Sequence, residues 1–382
     1  MAEHPIPSSI FNSEMKSLGR IAVRWAVFGL CFMATIEMAS RIDQWWAYGA
    51  PILGVYTYDT ALFATDDFGI HGRPNGRYEK WRLNAFGFRG DEITLDKLSD
   101  RVRIACIGAS ETFGFYEKPG NEWPRRLEQG LLKEGVKAEV INAAIAGMSL
   151  PQRIQHLKNR LLRFKPDVVI VMLEYGSYAG LTSEVIQVRK HAPPSLPDRQ
   201  NLVVGLKSFR VVSRLKDVVL PQLPASLQEA VGKMEGTFKM GLAKRELGAR
   251  YGSFVHVKPF EVAALKVDLE ELSDLTGAAG VQLILVSPAM WFTEQNLFEI
   301  ALSWPYLDES WWREAQGLLP PAAKEIARRR NLPYLDLSEI VRGREEEFMR
   351  DFLHFSDRGA EEVARHIARQ VTSPESLHGA IQ

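Results

Sequence analysis

Between about residues 100 and 340 the apolar residues gather into short unbroken runs separated by stretches of helical periodicity. Val102, Ile104, Cys106 and Ile107 mark the first run, which stops at Gly108. Further runs cover Ala138 to Ile145, Asp167 to Leu173, Val281 to Pro288 and Pro333 to Leu337. Continuous apolar runs of this length read as strands of a parallel sheet buried on both faces. Helical patterns lie over about Trp123 to Lys133, Pro151 to Arg163, Val267 to Gly277, Trp311 to Arg329 and Asp357 to Val371, the last capped by Ser356. The alternation predicts a three-layer α/β/α sandwich. An insertion from Gly180 to about Lys266 divides the third strand from the fourth, and within it Leu215 to Leu242 reads as mostly helical. Insertions of this kind form lids or partner surfaces.

The N-terminal pattern is different. Lys16 and Arg20 close a polar opening, and an apolar run from Ile21 to Ile36 follows, broken only by Arg24. Basic residues ahead of an apolar run place the N-terminus in the cytoplasm and the rest across the membrane. The uncharged part is shorter than a usual span, and snorkelling by Arg24 extends it. A cleaved signal peptide and a buried helix are the alternatives. Asp43 to Gly49, with Trp45, Trp46 and Tyr48, has the character of an interfacial aromatic belt. The expected organisation is a cytoplasmic tail (1–20), a transmembrane signal-anchor (21–40), a β-rich lead-in (41–98) and the main domain (99–382) with its insertion at 180–266.

Charge narrows the partners. Lys+Arg and Asp+Glu both number 47, which gives no basic surface for nucleic acid. The pattern calls for no metal and no cofactor. Of the 2 cysteines, one lies in the N-terminal run and one in the first strand, so both are expected to be free. Phe28-Gly29-Leu30 before Cys31 is not a lipidation signal.

Candidate chemistry sits at two places. Gly108-Ala109-Ser110-Glu111-Thr112-Phe113-Gly114 puts a hydroxyl among small residues at the carboxyl end of the first strand, where ligands of open α/β sheets bind. Alone, Ser110 reads equally as a helix cap. Near the other end, Asp351 and His354 stand three apart just before the last helix. A carboxylate that orients an imidazole, and an imidazole that takes a serine proton, complete a nucleophile, base and orienter. Thr112 stands where the α/β-hydrolase elbow has glycine.

With these residues in view the chain resembles the SGNH/GDSL hydrolases. Gly108-x-Ser110-x-Thr112-x-Gly114 looks like the first block, Asn142 to Gly147 like the second and Asp351-x-x-His354 like the last. Asn84-Ala85-Phe86-Gly87-Phe88-Arg89-Gly90 is similar to a segment of membrane-attached members associated with bacterial exopolysaccharides. The resemblance implies a flavodoxin-like parallel sheet and a serine esterase without cofactor. It implies Ser110, His354 and Asp351 as the triad, with Ser110 and Gly147 as oxyanion donors. The implied substrate is an O-acylated, most simply O-acetylated, bacterial glycan. The implied place is a single-pass inner-membrane protein with its main domain in the periplasm, beside polysaccharide export machinery. A glycan acyltransferase with the same triad and an impaired glycan-binding relative are the alternatives. The third block departs from the family. When Gly176 is matched, Tyr178 replaces the asparagine whose amide serves the oxyanion hole, and Ser177 is the expected stand-in.

Overall fold

The computed structural model describes residues 8–179, 210–211 and 219–373. Two compact units divide the chain, one of residues 1–57 and 199–228, the other of residues 58–198 and 229–382.

The first unit is built on helix α1, Ser8–Tyr48. Within it Arg20–Tyr48 is long and apolar enough to cross a membrane, and its most apolar window has no buried residue. Trp25, Phe28, Leu30 and Phe32 all stand exposed along it. The helix runs past the expected end, so residues 41–48 are not the start of an extended lead-in. Nothing in them breaks a helix until Gly49, whose left-handed backbone (φ 70°) ends it. Arg41 pairs with Glu37 at 2.6 Å and donates to the carbonyls of Ile52 and Gly54, which folds the following chain back along the last turns. In the insertion Arg210–Val211 joins this unit among the described residues before Val219, with Val211 N–H donating to Glu37 at 3.2 Å and the Arg210 guanidinium donating to the Pro51 carbonyl at 2.5 Å. The expected loop and lid at 180–209 lie outside the described residues.

The second unit opens with α2 (Tyr58–Leu62) and two hairpins, β1 (Phe63–Asp66) with β2 (Gly69–Gly72) and β3 (Arg77–Tyr78) with β4 (Trp81–Arg82). Five parallel strands follow: β5 (Val102–Ile107), β6 (Ala138–Asn142), β7 (Val168–Met172), β8 (Gln282–Ser287) and β9 (Tyr334–Asp336). Their order is β6-β5-β7-β8-β9. The chain leaves β5 for β6 on one side and returns past it to β7 on the other, so the carboxyl end of β5 lies at the point where the order reverses.

Alternation sorts the side chains. Ile104 and Cys106 of β5 pack with Ile170 of β7, with Trp123 and Leu127 of α4 (Trp123–Lys133), and with Val363 and Ile367 of the last helix. Ala105 and Ile107 face the opposite layer of α5 (Leu150–His156) and the long helices Pro259–Ala278 and Glu309–Arg329. The three layers are those the pattern predicts. Beyond α5 the chain continues through a π turn and a 3-10 turn to Phe164. Helix Pro259–Ala278 begins eight residues earlier than its apolar pattern, because Pro259 starts a first turn that needs no N–H partner. β6 is shorter than its apolar run, although Ala143 and Ile145 still donate to the carbonyls of Cys106 and Gly108. The lead-in core of Leu62, Phe63, Trp81 and Leu83 packs on Phe113, Ala144, Ile145 and Met148, directly behind the loops that follow β5 and β6. Both cysteines are free, Cys31 exposed and Cys106 buried.

His156 on α5 is buried, and neither ring nitrogen has a hydrogen-bond partner among the described residues. Burial, with Arg160 and His71 adding like charge, pushes its pKa down to about 3. The folded chain holds this imidazole neutral, while the unfolded chain takes up a proton below about pH 6.5. The contribution to stability is therefore complete above that pH and is lost as pH falls toward the folded value, by about 1.4 kcal/mol per unit. His156→Leu should remove this slope. Urea midpoints at about pH 7.5 and about pH 5 should converge in the variant relative to the wild type by about 2 kcal/mol. An equal acid loss in both proteins would exclude His156 as the source.

Candidate active site

The turn that carries Ser110 is shaped by what its glycines leave room for. A Cβ on Gly108 would fall 2.0 Å from Thr112 Oγ1, so only glycine lets the buried threonine fold back against the end of β5. Helix α3, Ser110–Phe113, is a single turn. Gly114 ends it with φ 84°, and a Cβ there would meet Glu122 Cβ at 2.5 Å and Arg89 at 3.0 Å. The first and last glycines of the block are thus both required by close packing. Glu111 is buried and its Oε1 accepts the Ala109 N–H at 2.8 Å, which fixes the entry to the turn.

His354 reaches this turn from the other end of the chain. Its Nε2 lies 2.7 Å from Ser110 Oγ. Its Nδ1 lies 2.8 Å from Asp351 Oδ2 and 2.9 Å from Oδ1. Asp351 Oδ1 also accepts the backbone N–H groups of Leu353 and His354, at 2.9 and 2.8 Å. The three-residue spacing is therefore a tight turn in which the carboxylate organises its own backbone. Burial would raise the Asp351 pKa, but the hydrogen bond and charge of His354, with the two backbone donors, outweigh it and hold the carboxyl below its ordinary value. Nδ1 donates to this anion, and Nε2 is left to accept the serine proton. Ser110 and His354 both keep partial exposure, so a substrate can reach them.

Aromatic rings wall the imidazole. Phe115 and Tyr116 have ring centroids 5.7 and 5.2 Å from His354, and Phe352 lies at 6.3 Å. The Tyr116 phenol is pushed up by burial and by the negative charge of Asp351. Trp304 contacts Phe352 at 5.6 Å and Trp312 at 5.0 Å, so these tryptophans extend the wall into the core. Glu117 is buried, and burial pushes its pKa up to about 7 against the opposing pull of His354 and Arg89.

The structure thus brings Ser110, His354 and Asp351 together. Gly147 lies in the loop after β6, in the left-handed conformation (φ 77°) and with open space around its Cα. Ser177 does not join them as a free donor. Its backbone N–H is taken by Glu174 Oε1 at 2.7 Å. The 3-10 turn Gly176–Tyr178 forces this, since it curls the chain back over Glu174. Tyr178 does not enter the site either. It is fully buried, and its hydroxyl donates to Asp268 Oδ2 at 2.6 Å in the helix layer. Gly176 is needed because a Cβ would sit 2.8 Å from Trp312.

Four residues at the site escape a motif reading: Arg89, Glu111, Tyr116 and Glu117. Three are charged and read as solvated surface. The adjoining letters of the first block were the only cue to Glu111, Tyr116 and Glu117.

Several solved structures are similar to this chain. A lipase/acylhydrolase from Enterococcus faecalis is 18% identical, with 71% of this chain and 95% of that one covered and a TM-score of 0.40. A catalytic mutant of an acetylxylan esterase from Geobacillus stearothermophilus is 14% identical, with 72% and 95% covered and a TM-score of 0.39. A two-domain esterase active on acetylated mannans is 14% identical, with 74% of this chain and 51% of that one covered and a TM-score of 0.37. No protein-family model matches the chain, and no curated protein matches it.

Tyr178→Asn restores the family's third-block letter, yet the buried ring makes it a core truncation. It should lower stability by about 3 kcal/mol or more and give no gain in ester turnover. Thermal denaturation beside an activated-ester assay checks both. A folded, faster variant would return Tyr178 to the oxyanion loop.

Proposed function

We propose that the protein is a serine esterase of the SGNH type that removes an O-acyl group, an acetyl in the simplest case, from a bacterial glycan on the non-cytoplasmic side of the membrane. The observation that carries this is the unbroken hydrogen-bond chain from Ser110 through His354 to Asp351. Ser110 Oγ attacks the ester carbonyl as His354 Nε2 takes its proton, and the negative charge of Asp351 stabilises the resulting imidazolium. The carbonyl oxygen becomes an oxyanion. Ser110 is the first residue of its turn, so its backbone N–H has no carbonyl to bond within that helix. This N–H and that of Gly147 are the proposed donors to the oxyanion. Collapse of the intermediate expels the sugar oxygen, which receives the proton from His354. Water then enters, gives a proton to His354, and releases the carboxylic acid from Ser110.

The glycan half of the reading rests on the resemblance of the first and last blocks and of the Asn84–Gly90 segment. The membrane half rests on α1, whose exposed apolar stretch begins just after Lys16 and Arg20. That order of charges supports a single-pass anchor with the second unit on the non-cytoplasmic side, and the resemblance adds the periplasm and exported polysaccharide to the reading.

A fluorophosphonate should label the wild type at Ser110. Ser110→Ala should stay folded, lose the label and lose ester hydrolysis by at least about 10,000-fold. Substantial hydrolysis in folded Ser110→Ala would remove the triad from the chemistry. Release of acyl groups to added oligosaccharide rather than to water would identify the transferase instead.

Alkaline phosphatase fused after Gln382 should be active in cells. An expressed but inactive fusion would place the second unit in the cytoplasm.

A further inference from the structure

Helix α3 is one turn, and an isolated turn of that length has no stability of its own. Its orientation must come from what binds its ends. At the carboxyl end the last carbonyls are all taken by side chains from elsewhere. Asn142 Nδ2 donates to Thr112 O at 3.1 Å. Arg89 NH1 donates to the carbonyls of Phe113 and Gly114, the second at 2.5 Å. Arg89 NH2 faces Glu122 Oε2 at 3.3 Å, and the guanidinium lies 5.0 Å from the centroid of the Phe113 ring. The side chains of this ion pair are only 4% and 5% exposed.

The lead-in is folded to deliver that side chain. Asn84 Oδ1 accepts the N–H groups of Phe86 and Phe88, both at 3.0 Å, which curls residues 84–88 into a loop. Gly87 has φ 80° and lies so close to Gly72 that a Cβ would come within 2.1 Å of the Gly72 carbonyl oxygen. Arg89 N–H then bonds the Asn142 carbonyl at 3.0 Å, docking the loop on the end of β6.

Resting on the serine-esterase reading, we propose that Arg89 is a positioning residue for the nucleophile, clamping the carboxyl end of the turn that begins with Ser110. A forked, permanently charged donor suits two carbonyls and one carboxylate at once, which a lysine cannot match. The cation also complements the negative end of the turn's dipole. When the clamp is lost the turn rocks about its entry, and Ser110 Oγ swings relative to His354. The segment Asn84 to Gly90 is thereby part of the catalytic apparatus, although none of its side chains touches the reacting atoms.

Arg89→Ala should fold, with kcat on an activated acetyl ester reduced by about 100-fold and KM changed by no more than about threefold. Arg89→Lys keeps a cation but cannot hold both carbonyls, and should lose about 10-fold in kcat. If Arg89→Ala does not fold, Arg89→Lys decides. Wild-type kcat in a folded variant, or a loss confined to KM, would overturn the proposal. Hydrogen exchange gives an arm that does not depend on catalysis. Amides of residues 108–116 should exchange faster in either variant, while those of β7 and β8 stay as in the wild type. Unchanged exchange at 108–116 would also overturn the clamp. Faster exchange there in a protein whose wild type neither hydrolyses esters nor takes a fluorophosphonate would leave the clamp standing and sink the esterase reading.

Discussion

A 2.7 Å hydrogen bond joins Ser110 Oγ to His354 Nε2 across 244 positions of sequence. Such a contact functions only if both ends are held to within about half an ångström. Each end has its own brace. His354 sits in a short turn closed by Arg350 N–H on its own carbonyl at 2.8 Å and by Ser356 N–H on the Phe348 carbonyl at 2.8 Å. Ser356 Oγ caps the final helix at Gly359 N–H, and Gly359 packs so tightly that a Cβ would fall 1.9 Å from the Phe348 oxygen. Asp357, the first residue of that helix, then bonds back to the nucleophile side through Lys118 N–H at 3.0 Å and Asn121 Nδ2 at 2.9 Å. The two ends of the triad are thus tied by a second link that shares no atom with the chemistry.

The parallel sheet explains why the ends meet at all. Strand β5 lies inside the sheet between β6 and β7, and the order reversal around it leaves the loop after β5 uncovered at the carboxyl edge. The last helix packs on the same face as α4, so the turn that precedes it arrives beside Ser110. Fold and site are one constraint here: a helix shifted along its axis by a single residue, about 1.5 Å, would separate His354 from the serine.

How much of this was legible depended on whether a residue's role showed in its own letters. Strands buried on both faces read as apolar runs, so β5, β7 and β8 were visible within a residue or two, and half-buried β9 as closely. Asp351 and His354 were visible because their spacing carries the geometry of a turn. Arg103 was not, although it is completely buried in β5, because its partners Glu139 and Phe164 lie 36 and 61 positions away in sequence. Arg89 was hidden for the same reason: a buried arginine is defined by carbonyls that no local pattern announces. Ser177 and Tyr178 failed in the opposite way. Their letters could be matched to a block, but the 3-10 turn that sets their directions depends on Glu174 and on the bulk of Trp312.

Around the imidazole, environment gives chemically alike carboxyls different parts. Asp351 receives two backbone N–H groups and the His354 ring, which outweigh its burial and hold its carboxyl below the ordinary value. Glu117 has burial working against its charge, with the Tyr116 N–H donating to its Oε2 at 3.1 Å, and its pKa is pushed up to about 7. Glu299 is raised as well, by burial and by the charge of Asp351. Of the three, Asp351 alone is shifted down, and it is the one in contact with Nδ1. A second permanent anion beside His354 would stabilise the imidazolium before substrate arrives and leave less free base to accept the serine proton. Burial of Glu117 and Glu299 works against their charges, which favours Asp351 as the stabilising anion, where geometry also fixes the tautomer.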